Sequence, residues 1–457
     1  MVLSNGDTLQ LLLALSIVLI VAHASGFLFV KLRQPRVAGE IAGGLLLGPT
    51  VLGALRPDLA HQLIAGGAAT APVLGALYQL GQLLLMYCAG AALRSHRRRG
   101  ETRTVSLIAL IGNVVPFAAG AAFLVIATPR GLIGSAGNHT AFFLVFACGI
   151  AVTSIPVISR ILADLGLMRT AFARLVVSVA LIDDVALYVL LSIALGLVAP
   201  PHGDAFALPS LLHIAPGSAL SDAYYVLVSL AIFGVPLTLG RSFVERLGRL
   251  RLNVLGRSNA LAFQVVFVMV VTSVALFLGI SPIFGAFIAG ILAGTLSRGE
   301  DATGAVPLDA ARAQASIERF SFGFFIPIYF AIVGIRLDLI HAFDIPFFVL
   351  FLVYACAVKA ASVYGAARLA REPRRSALNL AIALNARGGP GIVLASVALD
   401  AHVIAERFYV DLVLLALLTS MMAGAWLEHV IRTGTAIDDL ASPADGDAPQ
   451  GAKVADG

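Results

Sequence analysis

Charge is what this sequence has least of. Asp, Glu, Lys and Arg make up 12% of its 457 residues, while 59% are hydrophobic. An ordinary soluble domain is about 25% charged and about 45–50% apolar. The shortage runs along the whole chain, with a mean hydropathy of +0.94, which excludes a soluble domain on a single anchor. Cysteine is nearly absent too. Cys88, Cys148 and Cys356 lie in separate apolar runs and read as buried packing residues, not as a disulfide framework or a metal site. The nine histidines show no metal-ligand spacing. The formal net charge of +5 sits in short loops between apolar runs, which argues against a nucleic-acid surface.

What is abundant is apolar sequence in lengths of about 17–25 residues, enough to cross a bilayer. Gly, Pro and Arg clusters mark off thirteen such runs: 8–30, 37–55, 72–93, 104–128, 138–162, 173–198, 219–240, 258–279, 281–297, 318–335, 345–367, 376–399 and 408–431. Only a Gly-Ile-Ser-Pro turn (Gly279 to Pro282) separates the eighth from the ninth. Ala22-His23-Ala24 resembles a signal-peptide cleavage site, but the segment MVLSNGD is acidic and the apolar run resumes at once, so a first membrane helix is expected. With the N-terminus outside, the cytoplasmic segments hold twenty-five Lys and Arg and the external ones four: Arg56, Arg130, Arg336 and Arg407. That asymmetry predicts an N-out, C-in topology. Residues 433–457 are small, polar and acidic, and a disordered cytoplasmic tail is expected there.

Two of the runs are interrupted. The fifth ends in AVTSIPVISRIL, with Thr153, Ser154 and Pro156 well inside the span; the twelfth carries Arg387, Gly388, Gly389, Pro390 and Gly391 in mid-run. Unwound backbone at membrane depth survives only where it is buried in protein or lines a watery cavity. Runs 1–6 and 8–13, with 7 as connector, form an inverted repeat broken in the fifth member of each half, and paired interruptions of this kind point to a transporter's binding site. The expected fold is an all-α polytopic membrane protein of about thirteen transmembrane helices, its two broken helices crossing near the midplane.

The sixth run holds two adjacent acids, Asp183 and Asp184, and the eleventh holds Lys359. Lysine is the rarest basic residue here: Lys31 and Lys453 are the other two, and every other basic position is arginine. A carboxylate at mid-membrane costs roughly 2.5–3.5 kcal/mol on insertion scales, so intramembrane ionisable residues default to function. Helix neighbours point about 100° apart, so one acid can pair with Lys359 while the other faces a cavity. A cation–proton exchange site needs an oxygen ligand for which proton and cation compete, and oxygens near Thr153 and Ser154 can complete a hard-cation shell. An intramembrane aspartyl protease needs acids from two helices and is excluded by this adjacency, so no enzyme is expected. Glu40 and Pro35 suit a funnel or plain helix capping; Arg387 suits carbonyl capping at the twelfth-run break or ion gating; Arg336 and Asp338 read as a boundary pair.

These motifs together, with RQPRVAGEIAGGLLLGPTVLG (33–53), SPIFGAFIAGILAG (281–294) and FFIPIYFAIVGIRLDL (324–339), give a chain that resembles the monovalent cation/proton antiporters of the CPA2 branch, bacterial Na+/H+ or K+/H+ exchangers. The resemblance implies that Asp184 is the ion- and proton-binding carboxylate, Asp183 the partner of Lys359, and Thr153 the unwound-helix residue near the ion. It also implies a homodimer in which a core (104–198 and 345–431) moves like an elevator against a dimerisation domain (8–93 and 258–335) across a connector (219–240). Paired acids imply electrogenic exchange of two protons for one sodium, with no cofactor. The Gln-Asp pattern of glutathione-gated potassium efflux members is absent from this chain. K+/H+ antiport and sodium-coupled symport of an organic solute are the alternatives.

Overall fold

The computed structural model describes residues 4–65, 70–92, 102–126, 131–168, 170–198, 207–214, 218–249, 258–296 and 308–433. The arginine-rich loop around 94–100 and the segment 434–457, for which a disordered tail was expected, lie outside them. No strand occurs among the described residues, and one isolated bridge joins Ile133 to Ile404.

The chain runs α1 (Asn5–Lys31), α2 (Arg36–Leu47), α3 (Pro57–Ala65), α4 (Thr70–Ala92), α5 (Thr102–Ile126), α6 (His139–Ala151), α7 (Ile155–Asp164), α8 (Ala171–Gly196), α9 (Leu208–Leu211) and α10 (Ala219–Arg249). It continues with α11 (Ala260–Phe277), α12 (Pro282–Leu296), α13 (Leu308–Phe320), α14 (Ile326–Ile335), α15 (Ile345–Leu369), α16 (Arg374–Ala383), α17 (Gly388–Asp400) and α18 (Glu406–Arg432). Each apolar run falls on one helix or on a broken pair. Among the described residues nine helices are long and apolar enough to cross a membrane, with shorter apolar helices at His139–Ala151, Ala223–Pro236 and Pro282–Gly294. Polar caps set several starts: the side chains of Asn138, Thr170, Asn259 and Asp344 accept the first-turn N–H of α6, α8, α11 and α15. The weak boundary between the eighth and ninth runs is a true turn, made at Gly279 with φ +75°.

Two features depart from the runs. α3 forms where a loop was expected, and the tenth span starts early: α13, a π-helical turn (Ser321–Phe325) and α14 make one continuous helix from Asp309 to Ile335.

The helices sort into two bundles. α1, α2, α4, α11, α12 and α14 pack together; α5–α8 and α15–α18 pack together; α10 touches α8 on one side and α12 on the other. The first bundle is drawn tight by glycine crossings. A Cβ on Gly90 of α4 would sit 2.1 Å from the Phe287 carbonyl of α12, and one on Gly290 of α12 would sit 2.1 Å from the Tyr87 carbonyl of α4. Membrane helices gain no hydrophobic advantage over lipid and rely on such close contact. Replacing Gly290 by Leu forces the backbones apart and is expected to destabilise the bundle by about 1–3 kcal/mol. A lowered melting temperature of the detergent-purified variant is the check.

Candidate functional site at the crossing of two broken helices

α6 stops at Ala151 and the chain turns extended at Val152, with φ −62° and ψ 145°. α7 then restarts with Pro156 as its second residue, and α17 restarts with Pro390 as its third. A first-turn proline sacrifices only an N–H that would have had no helical partner. The two gaps touch: the Ser154 N–H donates to the Ala386 carbonyl at 2.8 Å, and Thr153 Oγ1 lies 2.7 Å from the Leu384 carbonyl. Gly388, at φ +40°, has to be glycine, because a Cβ there would meet Val157 Cγ2 at 2.3 Å and Ser154 Oγ at 2.8 Å.

Ending α6 inside the fold exposes its last carbonyls, where the helix dipole favours cations. Two cations close them. Arg387, 1% exposed, donates from Nε to Gly149 O (3.0 Å) and from Nη2 to Ile150 O (2.9 Å) and Ala355 O (3.0 Å). Its Nη1 donates to Asn385 O (3.1 Å) and Asn385 Oδ1 (2.6 Å), so all five donors are engaged. The arginine of the second gap therefore also caps the helix that ends at the first. Lys359 closes Ala151 O, and also donates to Gly112 O (3.0 Å) and to Asp183 Oδ2 (3.0 Å). Three acceptors converge on one nitrogen, which matches the three donors of an ammonium group.

Asp183 is equally well held. Its Oδ2 also faces Thr153 Oγ1 at 2.7 Å, and its Oδ1 accepts from Asn113 Nδ2 at 2.6 Å. Asp184, one residue on and 2% exposed, is held differently: its Oδ1 is buried with no partner among the described residues. A buried, half-satisfied carboxylate calls for a compensating cation, whether a proton or a metal ion. Ser154 Oγ accepts the Val157 N–H at 3.4 Å and so caps α7; Thr419 Oγ1 and Ser420 Oγ accept the first N–H groups of the α17 start. Gly389 and Pro390 instead line a cavity.

That cavity, about 680 Å³, lies between the bundles and is lined among others by Arg33, Arg36, Arg160, Val157 and Tyr188. Tyr188 is one turn beyond Asp184 on α8, so the cavity reaches the depth of the acids. Pro35 also lines it and caps α2, while Glu40 is buried and accepts from Arg36 Nε at 3.0 Å.

One expected pairing is corrected. Arg336 does not meet Asp338; it binds Asp400 at 2.6 Å, and Asp338 accepts from the Ile340 and His341 N–H groups and the His341 ring. Slight burial works against it, but these donors hold the Asp338 carboxyl below its usual range. Asn113 escaped the sequence reading. The signal was there, as the single amide in the run 104–128. No group of three or more His, Cys, Asp and Glu able to hold a metal occurs among the described residues.

Comparison with known proteins identifies the family. The family described as sodium/hydrogen exchanger, transmembrane, matches residues 15–433. Cation/H(+) antiporter 20 of Arabidopsis thaliana is 28% identical over 423 residues, 90% of this chain and 47% of that protein. The chain thus spans about half the length of such plant relatives. Na(+)/H(+) antiporter NhaS4 of Synechocystis is 30% identical over 431 residues, 91% of this chain and 96% of that one. The solved structure of the sodium proton antiporter MjNhaP1 from Methanocaldococcus jannaschii superposes with a TM-score of 0.65 over 95% of this chain and 100% of that one, at 15% identity, a likeness of fold.

Proposed function

Because the chain belongs to the transmembrane sodium/hydrogen exchanger family, we propose that it exchanges a monovalent cation for protons across a membrane. The observation that carries this reading is the buried, half-satisfied Asp184 beside a saturated Asp183–Lys359 pair. Cation and proton compete for Asp184. Asp183, Thr153 and Ser154 supply neighbouring oxygens, and Lys359 keeps the local charge low enough for a carboxylate pair to be buried at all. Each bound form is neutralised; the empty one carries buried charge and crosses poorly.

Sodium is the favoured cation, probed together with lithium, on the strength of the paired-acid pattern; potassium is the alternative. Two protons per cation would move one net charge, worth about 2.3 kcal/mol per 100 mV of potential. The α5–α8 and α15–α18 bundle is the moving core. The other bundle is the dimerisation half of a homodimer set in a bacterial inner membrane, N-terminus outside. The cavity on the arginine-bearing side then opens to the cytoplasm.

The test is proteoliposome transport with an internal pH dye, pulsing Na+, Li+ and K+ separately with and without an imposed potential. Cation-triggered proton movement that responds to the potential is expected, and its ion order assigns the substrate. Silence with every cation sinks the antiport reading, and uptake of organic solutes with sodium would then be screened.

A further inference from the structure

The two bundles part at one end and are fastened at the other. Three helices show this in the same sense. α4 lines the cavity with Leu85 and Met86 but carries Tyr78 toward its opposite end. α14 lines it with Phe330 and ends at Arg336. α17 lines it with Gly389 and Val393 and ends at Asp400. Seven residues separate Leu85 from Tyr78, and Asp400 from Val393, about 10 Å along each helix.

At that far end the bundles are tied by one compact cluster. Arg336 Nη1 donates to Asp400 Oδ1 at 2.6 Å, Tyr78 OH donates to Asp400 Oδ2 at 3.0 Å, and the Arg336 guanidinium lies 4.5 Å over the Tyr78 ring. Both oxygens of the Asp400 carboxylate, from the moving bundle, are thus engaged by Tyr78 and Arg336 of the other. Between cluster and cavity the interface is sealed: Tyr329 OH donates to Ser396 Oγ at 3.3 Å and Tyr409 OH to the Val333 carbonyl at 3.0 Å. Ser396 is fully buried.

We propose that Tyr78, Arg336 and Asp400 form a latch that holds the cavity-open conformation and has to part in every transport cycle. The inference rests on the proposed movement of one bundle against the other. The latch is distinct from the ion site: it neutralises no transported charge, and its strength sets how often the far side opens. A charged hydrogen bond and a cation–π contact, both partly exposed to solvent, together bias that equilibrium by about tenfold.

The experiment reads the far-side opening directly. With Cys88, Cys148 and Cys356 replaced by serine, Ser396→Cys puts a thiol in the seal itself, and its maleimide labelling rate tracks the opened population. Arg336→Gln, which removes both the charged hydrogen bond and the cation–π contact, is expected to raise that rate about tenfold and Asp400→Asn, which removes the charged bond alone, somewhat less, with the double variant no higher than Arg336→Gln, because both remove one shared ion pair. Equal rates in parent and variants overturn the latch, as does a double variant in which the two increases multiply. Arg336→Lys, which keeps the charge but loses the fork and the stacking, is the milder variant should the others fold poorly; it is expected to give a smaller rise, and none at all overturns the proposal. Labelling needs no ion gradient, so a parent protein that fails to transport would sink antiport while leaving the latch result readable.

Discussion

Asp184→Asn brings cation-triggered proton movement down to the level of protein-free vesicles, while the purified protein melts at or above the parent temperature. The two halves of that result have one cause. Oδ1 of Asp184 is buried without a partner among the described residues, and an unsatisfied buried polar group costs about 1–3 kcal/mol, more when charged. Asparagine keeps the shape but cannot bind a proton or a metal ion as a carboxylate does. A residue kept for stability would behave the other way, with fold and transport failing together. The measurement is the initial dye response to a sodium pulse, alongside a thermal melt of the same preparation. Parent-like transport in Asp184→Asn would remove this carboxylate from the mechanism.

Arg387→Lys has the opposite profile, a loss of fold before any question of activity. Five guanidinium donors reach acceptors on Gly149, Ile150, Ala355 and Asn385. An ammonium offers three donors from a single point and cannot span them. At least two buried acceptors are then left open, at about 2–6 kcal/mol together, a large part of the ~5–15 kcal/mol that typically separates folded from unfolded protein. Little monodisperse protein should be recovered, and what is recovered should melt early. Arg407→Lys is the control, since Arg407 pairs with Asp344 at the surface at 2.9 Å and should change almost nothing. If both variants melt like the parent, the capping account of Arg387 is wrong.

Much of this was legible before any coordinates. Apolar length and flanking arginines located the helices because a bilayer imposes both. The gaps at 152–154 and 384–387 were visible because Thr-Ser-x-Pro and Arg-Gly-Gly-Pro have no other business inside a span. Lys359 stood out because the chain otherwise avoids lysine. What failed was partner assignment over long separations. Arg336 was matched to Asp338, yet Asp338 lies past the end of α14, where it accepts from the Ile340 and His341 N–H groups, and the acid of Arg336 is Asp400, brought there by the packing of α17. Arg387 was matched to its own gap, and two of its bonds do go there, to Asn385, but two others close the orphaned end of α6 and one reaches Ala355. α3 lay in a segment with no membrane-length periodicity and left no signal of that kind.

The closure of α6 by Lys359 and Arg387 also dictates an order of events while the protein is being made. Ala151 waits for a lysine 208 positions later, and Gly149 for an arginine 238 positions later. At about 5–20 residues per second that is an interval of roughly 10–50 s, during which an inserted N-terminal half holds two acids and open carbonyls without their counter-charges. Such a half has every reason to recruit a chaperone or a protease. Truncation anywhere before α15 should thus yield no stable fragment, and the halves of this protein, alike as they are in plan, depend on one another to stay in the membrane.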